Sequence, residues 1–434
     1  MGCCRAPSFW LCSTRPITAS RSFRSLSIPG CVNASSNSTP PSSASYGRRW
    51  SNPVLSKPPT EIVRRWVEPD AYHSIPPQER FTVVSYNVLG DRNALNHGDL
   101  YRNVPSVYLN WDYRRRVICE ELLQLSPDII CLQEVDKYYD LLNVLEKAGY
   151  AGSYKRRTGD YVDGCAMFWK ADKCQLLEDE SIEFKQFGLR DNVAQLSVFE
   201  MPEGSETGSR RVVIGNIHVL YNPHRGDVKL GQIRFLTSRA YILSKKWENA
   251  PVVLAGDYNS TPGSAIYKFL SSSELNILLH DRKELSGQRR NRNTVLRLRR
   301  EKNTLFVLMD RLLNDLKYGW TDEEINVATG TNSHIIMHPL KLNSSYAAVK
   351  GSMRTRDSNN EPLATSYHSK FLGTVDYLWY SDGLVPTKVL DTVPINALVK
   401  IGSLPSKKLG SDHLPLAAEF AFIQCDREEN EVIT

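Results

Sequence analysis

Across residues 80–422 the chain alternates short apolar runs with amphipathic stretches of helical period. Val83–Asn87, Asp128–Glu134, Val213–His218, Val252–Asn259 and Val375–Tyr380 have the β-branched, apolar character of buried strands. Each run carries a carboxylate, amide or imidazole at one end. Gly164–Trp169, Val193–Val198 and Leu414–Phe420 read as further strands. Between them, Asp112–Leu125 aligns Ile118, Leu122 and Leu125 on one stripe, with Pro127 as a stop. Val228–Trp247 aligns Ile233, Leu236, Ala240, Leu243 and Trp247 in the same way. A shorter helix is expected after Thr261-Pro262-Gly263, running to about Phe269. Such an order, with short loops and no internal repeat, predicts an α/β sandwich.

Composition changes this picture mainly at the amino terminus. The net charge of +6 comes from residues 1–60, which hold seven basic residues and no Asp or Glu. The remainder carries 47 basic against 48 acidic groups, so the folded part is not a generally basic nucleic-acid binder. Residues 1–75 are expected to be a disordered Ser/Arg-rich tail, its composition fitting either a transit peptide or a bland extension. Met1-Gly2-Cys3-Cys4 hints at acylation, but Ala6 stands where that motif wants Ser or Thr. A catalytic domain is expected over 76–425 and a short tail over 426–434. Within the domain, 281–367 reads as an insertion opened by Arg289, Arg290, Arg292, Arg297, Arg299 and Arg300. That cluster suits a solvated helical face, an RNA-phosphate patch or a nuclear-import signal. Nine cysteines without paired spacing predict neither a zinc site nor disulfides, and fit a reducing compartment. No apolar run is long enough to span a membrane.

The polar ends of the strands supply the candidate chemistry. Hydrolysing a phosphate ester requires neutralising phosphoryl charge, deprotonating water and assisting the leaving oxygen. Glu134, at the end of an apolar strand, is costly to bury alone and suits a magnesium ion, to which Asn87 can add a neutral oxygen. Asp257 and Asn259, two apart after Gly256, point to one side. Asp257 is placed to deprotonate water and Asn259 to donate to a phosphoryl oxygen. Asp376 and His413 form a candidate dyad in which the carboxylate fixes the imidazole tautomer. Asp412 would serve the metal or its water shell, and His218 would donate to phosphate.

In this order these residues resemble the endonuclease/exonuclease/phosphatase superfamily. Ser85-Tyr86-Asn87-Val88-Leu89, Leu132-Gln133-Glu134-Val135, Gly226–Gln232 and Gly256–Ser260 resemble its carbon catabolite repressor/nocturnin branch of poly(A) deadenylases. The resemblance implies a four-layer, DNase I-like α/β sandwich of two packed mixed sheets flanked by helices. It also implies Mg²⁺ dependence, with Mn²⁺ as a substitute, and 3′-to-5′ removal of poly(A) as adenosine monophosphate. It assigns metal contact to Glu134 and Asn87, and catalysis to His218, Asp257, Asn259, Asp376, Asp412 and His413. Adenine recognition passes to Phe371 and Pro223, with Asn222 as a further polar contact. Poly(A) RNA and the carbon catabolite repressor–Not complex are the implied partners, cytoplasm and nucleus the implied compartments. A transit-like tail would instead direct the chain to chloroplast or mitochondrion. The leucine-rich docking repeat of larger members is not expected, because no leucine period precedes Phe81. Two other functions fit the same residues: an NADP-type 2′-phosphatase and a non-catalytic RNA-binding adaptor.

Overall fold

The structure, a computed structural model, describes residues 62–69, 80–201, 210–288 and 319–423. The tail before residue 62, the Arg289–Arg300 cluster and residues 426–434 lie outside the described residues.

With its strands numbered in chain order, the first of two large sheets comprises β1 (Trp66–Val67), β2 (Arg80–Asn87), β3 (Ile129–Gln133), β4 (Tyr150–Arg156) and β5 (Gly164–Lys170). The second holds β6 (Gln175–Glu183), β7 (Val193–Met201), β8 (Arg210–His218), β9 (Val252–Asp257), β10 (Leu342–Ser344) and β11 (Asp376–Ser381). The chain then returns to the first sheet with β12 (Leu384–Leu390) and β13 (Leu416–Phe422). Spatial order is β1-β12-β13-β2-β3-β5-β4 in the first and β10-β11-β9-β8-β7-β6 in the second. Only β2/β3 and β8/β9 are parallel, so both sheets are mixed. Each parallel step is bridged by a helix, as crossover geometry requires. These are α1 (Trp111–Leu125) and α3 (Gly226–Lys246). The helices α2 (Tyr138–Leu145), α4 (Ala265–Ser272) and α5 (Asp322–Thr329) complete the outer layers.

Period-two alternation sorts the strand residues into layers. Phe81, Val83, Ile129 and Cys131 of the first sheet meet Val212, Ile214, Val253, Ala255 and Leu378 of the second in the inter-sheet core. On the far side of the first sheet, Val84, Tyr86, Ile130 and Leu132 pack with Ile118, Leu122, Leu141 and Leu145. On the far side of the second, Val213, Ile217, Val252 and Leu254 pack with Ile233, Leu236, Ala240 and Phe269. The arrangement is the four-layer sandwich.

The same alternation positions the site. Continuing the inter-sheet face two residues at a time turns apolar positions into Asn87, Gln133, Asn216, His218 and Asp257, while Asp376 lies two residues before Leu378. Asp376 and Asp257 are register partners, as are His218 and Asp257. Beneath them lies a layer of buried amides. Gln133 Nε2 donates to Asn216 Oδ1 at 2.8 Å, and Asn216 Nδ2 donates across the interface to Leu132 O (3.1 Å) and Ala166 O (2.9 Å).

Two expectations change. Trp66–Val67, assigned to the tail, pairs antiparallel with Val389–Leu390 at the edge of the first sheet. A two-residue edge strand has too little periodicity to be seen in sequence. The 281–367 interval is not a simple appendage, because it supplies the edge strand β10 and helix α5. Ile325, Ala328, Ile336, Leu340 and Leu342 are buried in the core of the second sheet.

Candidate active site

The site forms at one end of both sheets, where the strands run out into turns. Gly256 takes φ of +154°, and a Cβ there would lie 2.1 Å from Ile217 O, so only glycine lets β9 approach β8 this closely. Glu134 and Asn259 themselves adopt left-handed φ values of +57° and +47°. Backbone of this kind costs energy and persists where the surroundings enforce it. For Glu134 the enforcing contacts are Asn87 Nδ2 donating to Oε1 (3.0 Å), with Asn93 Nδ2 (2.8 Å) and the Gly90 N–H (3.2 Å) donating to Oε2. For Asn259, Nδ2 donates to Val219 O (3.0 Å), Gln288 Nε2 donates to Oδ1 (3.2 Å) and the buried Lys229 ammonium donates to the carbonyl (2.7 Å).

Asp257 sits at the centre. Its Oδ2 accepts from Asn87 Nδ2 at 3.1 Å and lies 3.6 Å from His218 Nε2 and 3.9 Å from His413 Nε2. Its Oδ1 accepts from the Asn259 N–H at 2.9 Å. Asp376 Oδ2 bonds His413 Nδ1 at 2.8 Å and accepts from the Thr365 hydroxyl at 2.6 Å. Asp412 accepts from the Tyr101 hydroxyl at 2.9 Å, and Ser411 Oγ ties this segment to Asn87 O at 2.7 Å.

Electrostatics divides the two histidines. Burial pushes His218 down to about 4, against the pull of Glu134. His413 is equally enclosed, yet Asp376, through charge and hydrogen bond, holds it well above the usual histidine range. One imidazole is therefore neutral and the other protonated near pH 7, on either side of one carboxylate. Burial, then the nearby Asp376, pushes Asp257 up to about 7. Burial also opposes charge on Glu134, but His218, Asn93 and Asn87 hold its carboxyl below the ordinary range. Opposed protonation states of this kind mark acid and base partners.

Four carboxylates, Glu134, Asp257, Asp376 and Asp412, thus meet with no lysine or arginine ion pair to any of them among the described residues. Donor atoms of Asp257, Asp376 and His413 lie within 4.8 Å of one another. Unbalanced negative charge presented by oxygen donors fits a hard divalent cation. Asn87, however, meets Glu134 and Asp257 as a donor. Its Oδ1 accepts from the Leu89 N–H at 3.0 Å, which fixes the amide orientation and turns the oxygen away from both carboxylates.

The fold brings the eight metal and catalytic candidates into one cluster. The adenine-recognition candidates stand on loops at the same end. Phe371, half-buried, lies on a hairpin (Ser366–His368 with Phe371–Gly373) that pairs with the Asp412–His413 segment through Tyr367 N to Asp412 O, 2.8 Å. Pro223 is half-buried in the loop after β8. Asn222 is exposed, and its Oδ1 accepts from the His224 N–H at 2.9 Å within its own turn.

The family model for the endonuclease/exonuclease/phosphatase family matches residues 84–413. The chain belongs to the endonuclease/exonuclease/phosphatase family. Within it, the chain is 58% identical over 417 residues to carbon catabolite repressor protein 4 homolog 3 of Arabidopsis thaliana, covering 93% of this chain and 91% of that one. It is 48% identical to homolog 5 of the same organism over 356 residues, covering 80% and 78%. These place it on the carbon catabolite repressor branch. Among solved structures, ANGEL2, a 2′,3′-cyclic phosphatase crystallised with adenosine-2′,3′-vanadate, aligns with a TM-score of 0.66 at 28% identity, covering 83% of this chain and 99% of that one.

Sequence reasoning did not identify Asn93, Tyr101, Thr365, Gln288 or Lys229, each of which touches a residue of the cluster. None carries a local signal except Lys229, which lies in the Gly226–Gln232 motif without an assigned role. This member of the family thus couples a strand-end cluster to supports drawn from three loops and two helices.

Proposed function

We propose that the chain is a Mg²⁺-dependent 3′-to-5′ exoribonuclease that shortens poly(A) and releases adenosine monophosphate. The carrying observation is the Asp257 carboxylate set between His218 and the Asp376-bonded His413, next to an Asn87-linked Glu134. The high identity to two carbon catabolite repressor homologs supports the polynucleotide substrate.

Glu134 would hold the ion, with Asp412 adding negative charge nearby; bound there, the ion would neutralise phosphoryl oxygens. The chain's own groups do the rest. Asp257, ionised, takes a proton from the attacking water. The water oxygen adds to phosphorus as the bond to the upstream 3′-oxygen breaks. His413, kept protonated by Asp376, stabilises the phosphoryl oxygens, and the Asn259 amide and His218 contribute further polar contacts. The proton taken up by Asp257 is returned through solvent and restores the upstream 3′-hydroxyl, which regenerates the ionised carboxylate. Phe371 and Pro223 would hold the terminal adenine by stacking, which contributes about 1–3 kcal/mol per base.

A second reading, a 2′,3′-cyclic phosphatase, is favoured by the likeness to ANGEL2. Incubating the purified protein with 5′-labelled oligo(A), oligo(U), oligo(A) ending in a 2′,3′-cyclic phosphate, and NADP separates these readings. A ladder from oligo(A) that chelation abolishes and oligo(U) gives more slowly is expected. Opening of the cyclic end without shortening would replace the proposal with the second reading, and phosphate release from NADP alone would make the chain a dinucleotide phosphatase. Kinship favours cytoplasm and nucleus, which microscopy of full-length and tail-deleted fluorescent fusions tests.

A further inference from the structure

Resting on the polynucleotide reading, we propose that Arg157 and Tyr161 form a subsite for the nucleotide upstream of the scissile phosphate. The Arg157 guanidinium lies 3.6 Å from the centroid of the Tyr161 ring, which remains 46% exposed. This loop leaves β4 and enters β5 beside Glu134, where Val135 and Gly164 exchange backbone hydrogen bonds at 2.9 Å. Its other flank reaches the second sheet. The Thr158 hydroxyl donates to Asp191 at 2.7 Å, and Asn192 Nδ2 donates to His218 O at 3.0 Å. Arg156 also donates to Tyr161 O, so the loop presents its ring from a braced backbone.

The Arg157 cation is ion-paired with the buried Asp163 carboxylate but keeps hydrogen-bonding capacity. Arg157 meets Asp163 only at 3.6 Å, beyond a normal hydrogen bond, and its Nε is buried with no hydrogen-bond partner. Its charge reaches the cluster, acting on His218. Arg190, next to Asp191, is exposed and forms no ion pair among the described residues. An aromatic face backed by a guanidinium, with the exposed Arg190 nearby, is the equipment of a single-stranded nucleic-acid track.

Strand order gives the direction. Phe371 approaches the cluster from the β11 side, whereas Arg157 and Tyr161 approach from β4, β5 and β7. With the terminal base on the first flank and the scissile phosphate at Asp257, the upstream strand leaves across the second.

The test is fluorescence anisotropy of labelled oligo(A) in chelator, with unlabelled AMP competition as the control, on wild type, Tyr161→Ala, Tyr161→Phe and Arg157→Gln. The expected result is an oligo(A) Kd raised about tenfold in Tyr161→Ala and in Arg157→Gln. It also includes retention of wild-type affinity by Tyr161→Phe and an AMP affinity that moves less than about twofold. An unchanged oligo(A) Kd in both truncating variants, or equal losses for oligo(A) and AMP, would overturn the subsite. Because binding is read without turnover, tight oligo(A) binding by a protein that shortens no poly(A) would sink the proposed activity and leave the subsite standing.

Discussion

At Asp257 one carboxylate is shared among an amide, a neutral imidazole and a protonated one, and its basicity follows from that company. Asp257→Ala is expected to lower kcat by about 10²–10⁴ with little change in KM, because it removes a base and not a binding contact. Asn87 allows a sharper test. As a donor bridging Glu134 and Asp257, it should not tolerate Asn87→Asp, which places a third carboxylate beside two that no lysine or arginine pairs among the described residues. Urea denaturation of the metal-free protein is expected to show a loss of about 3 kcal/mol. An oxygen ligand would instead tighten metal binding. Lys229 tests the support behind Asn259. Burial pushes its ammonium down to about 7 from an ordinary 10.5, against the pull of Asp257. Between these values the unfolded chain binds the proton and the folded chain does not, so this residue's penalty is full below about pH 7 and fades toward pH 10.5. The stability of wild type relative to Lys229→Met, followed by denaturation, is expected to improve as pH rises through that window.

Among the elements, α3 shows why a motif can be read without its purpose. Its Gly231 packs where a Cβ would lie 2.5 Å from Val327 O and 2.6 Å from the Leu189 side chain. The helix therefore seats α5 on its surface at backbone distance. Gly231→Ala is expected to cost about 1–3 kcal/mol by overpacking, measured as a lowered denaturation midpoint at unchanged slope. Helix α3 itself was legible from its apolar stripe, as were the buried strands from their β-branched runs. The seat for α5 was not, because its partner lies about ninety residues away, inside an interval whose polar sequence reads as an insertion. Likewise Trp66–Val67 becomes a strand only because Val389–Leu390 offers it an edge.

For the whole molecule, the two sheets are held in register by the Gln133–Asn216 amides directly beneath the cluster. Glu134 follows Gln133 by one residue and His218 follows Asn216 by two, so slippage between sheets would separate the metal candidate from the catalytic ones. Asn216→Leu removes the side-chain donor to the Leu132 and Ala166 carbonyls and leaves Gln133 Nε2 only its contacts to Cys131 O and Ser85 Oγ. We expect a stability loss of about 1–3 kcal/mol and a fall in kcat larger than that of a surface control, read from denaturation and turnover together. The apolar, β-branched runs, a local property, were enough to determine strand identity and the list of polar strand ends, whereas the face each strand turns to the other sheet was decided by packing. Which of those ends touch depends on sheet order, and the orientation of the Asn87 amide depends on the backbone of Leu89. The partners Tyr101, Thr365 and Gln288 arrive on loops with no period of their own, and Asn93 on a helix of only six residues. Such contacts arise between residues distant in sequence, and only the packed chain fixes them.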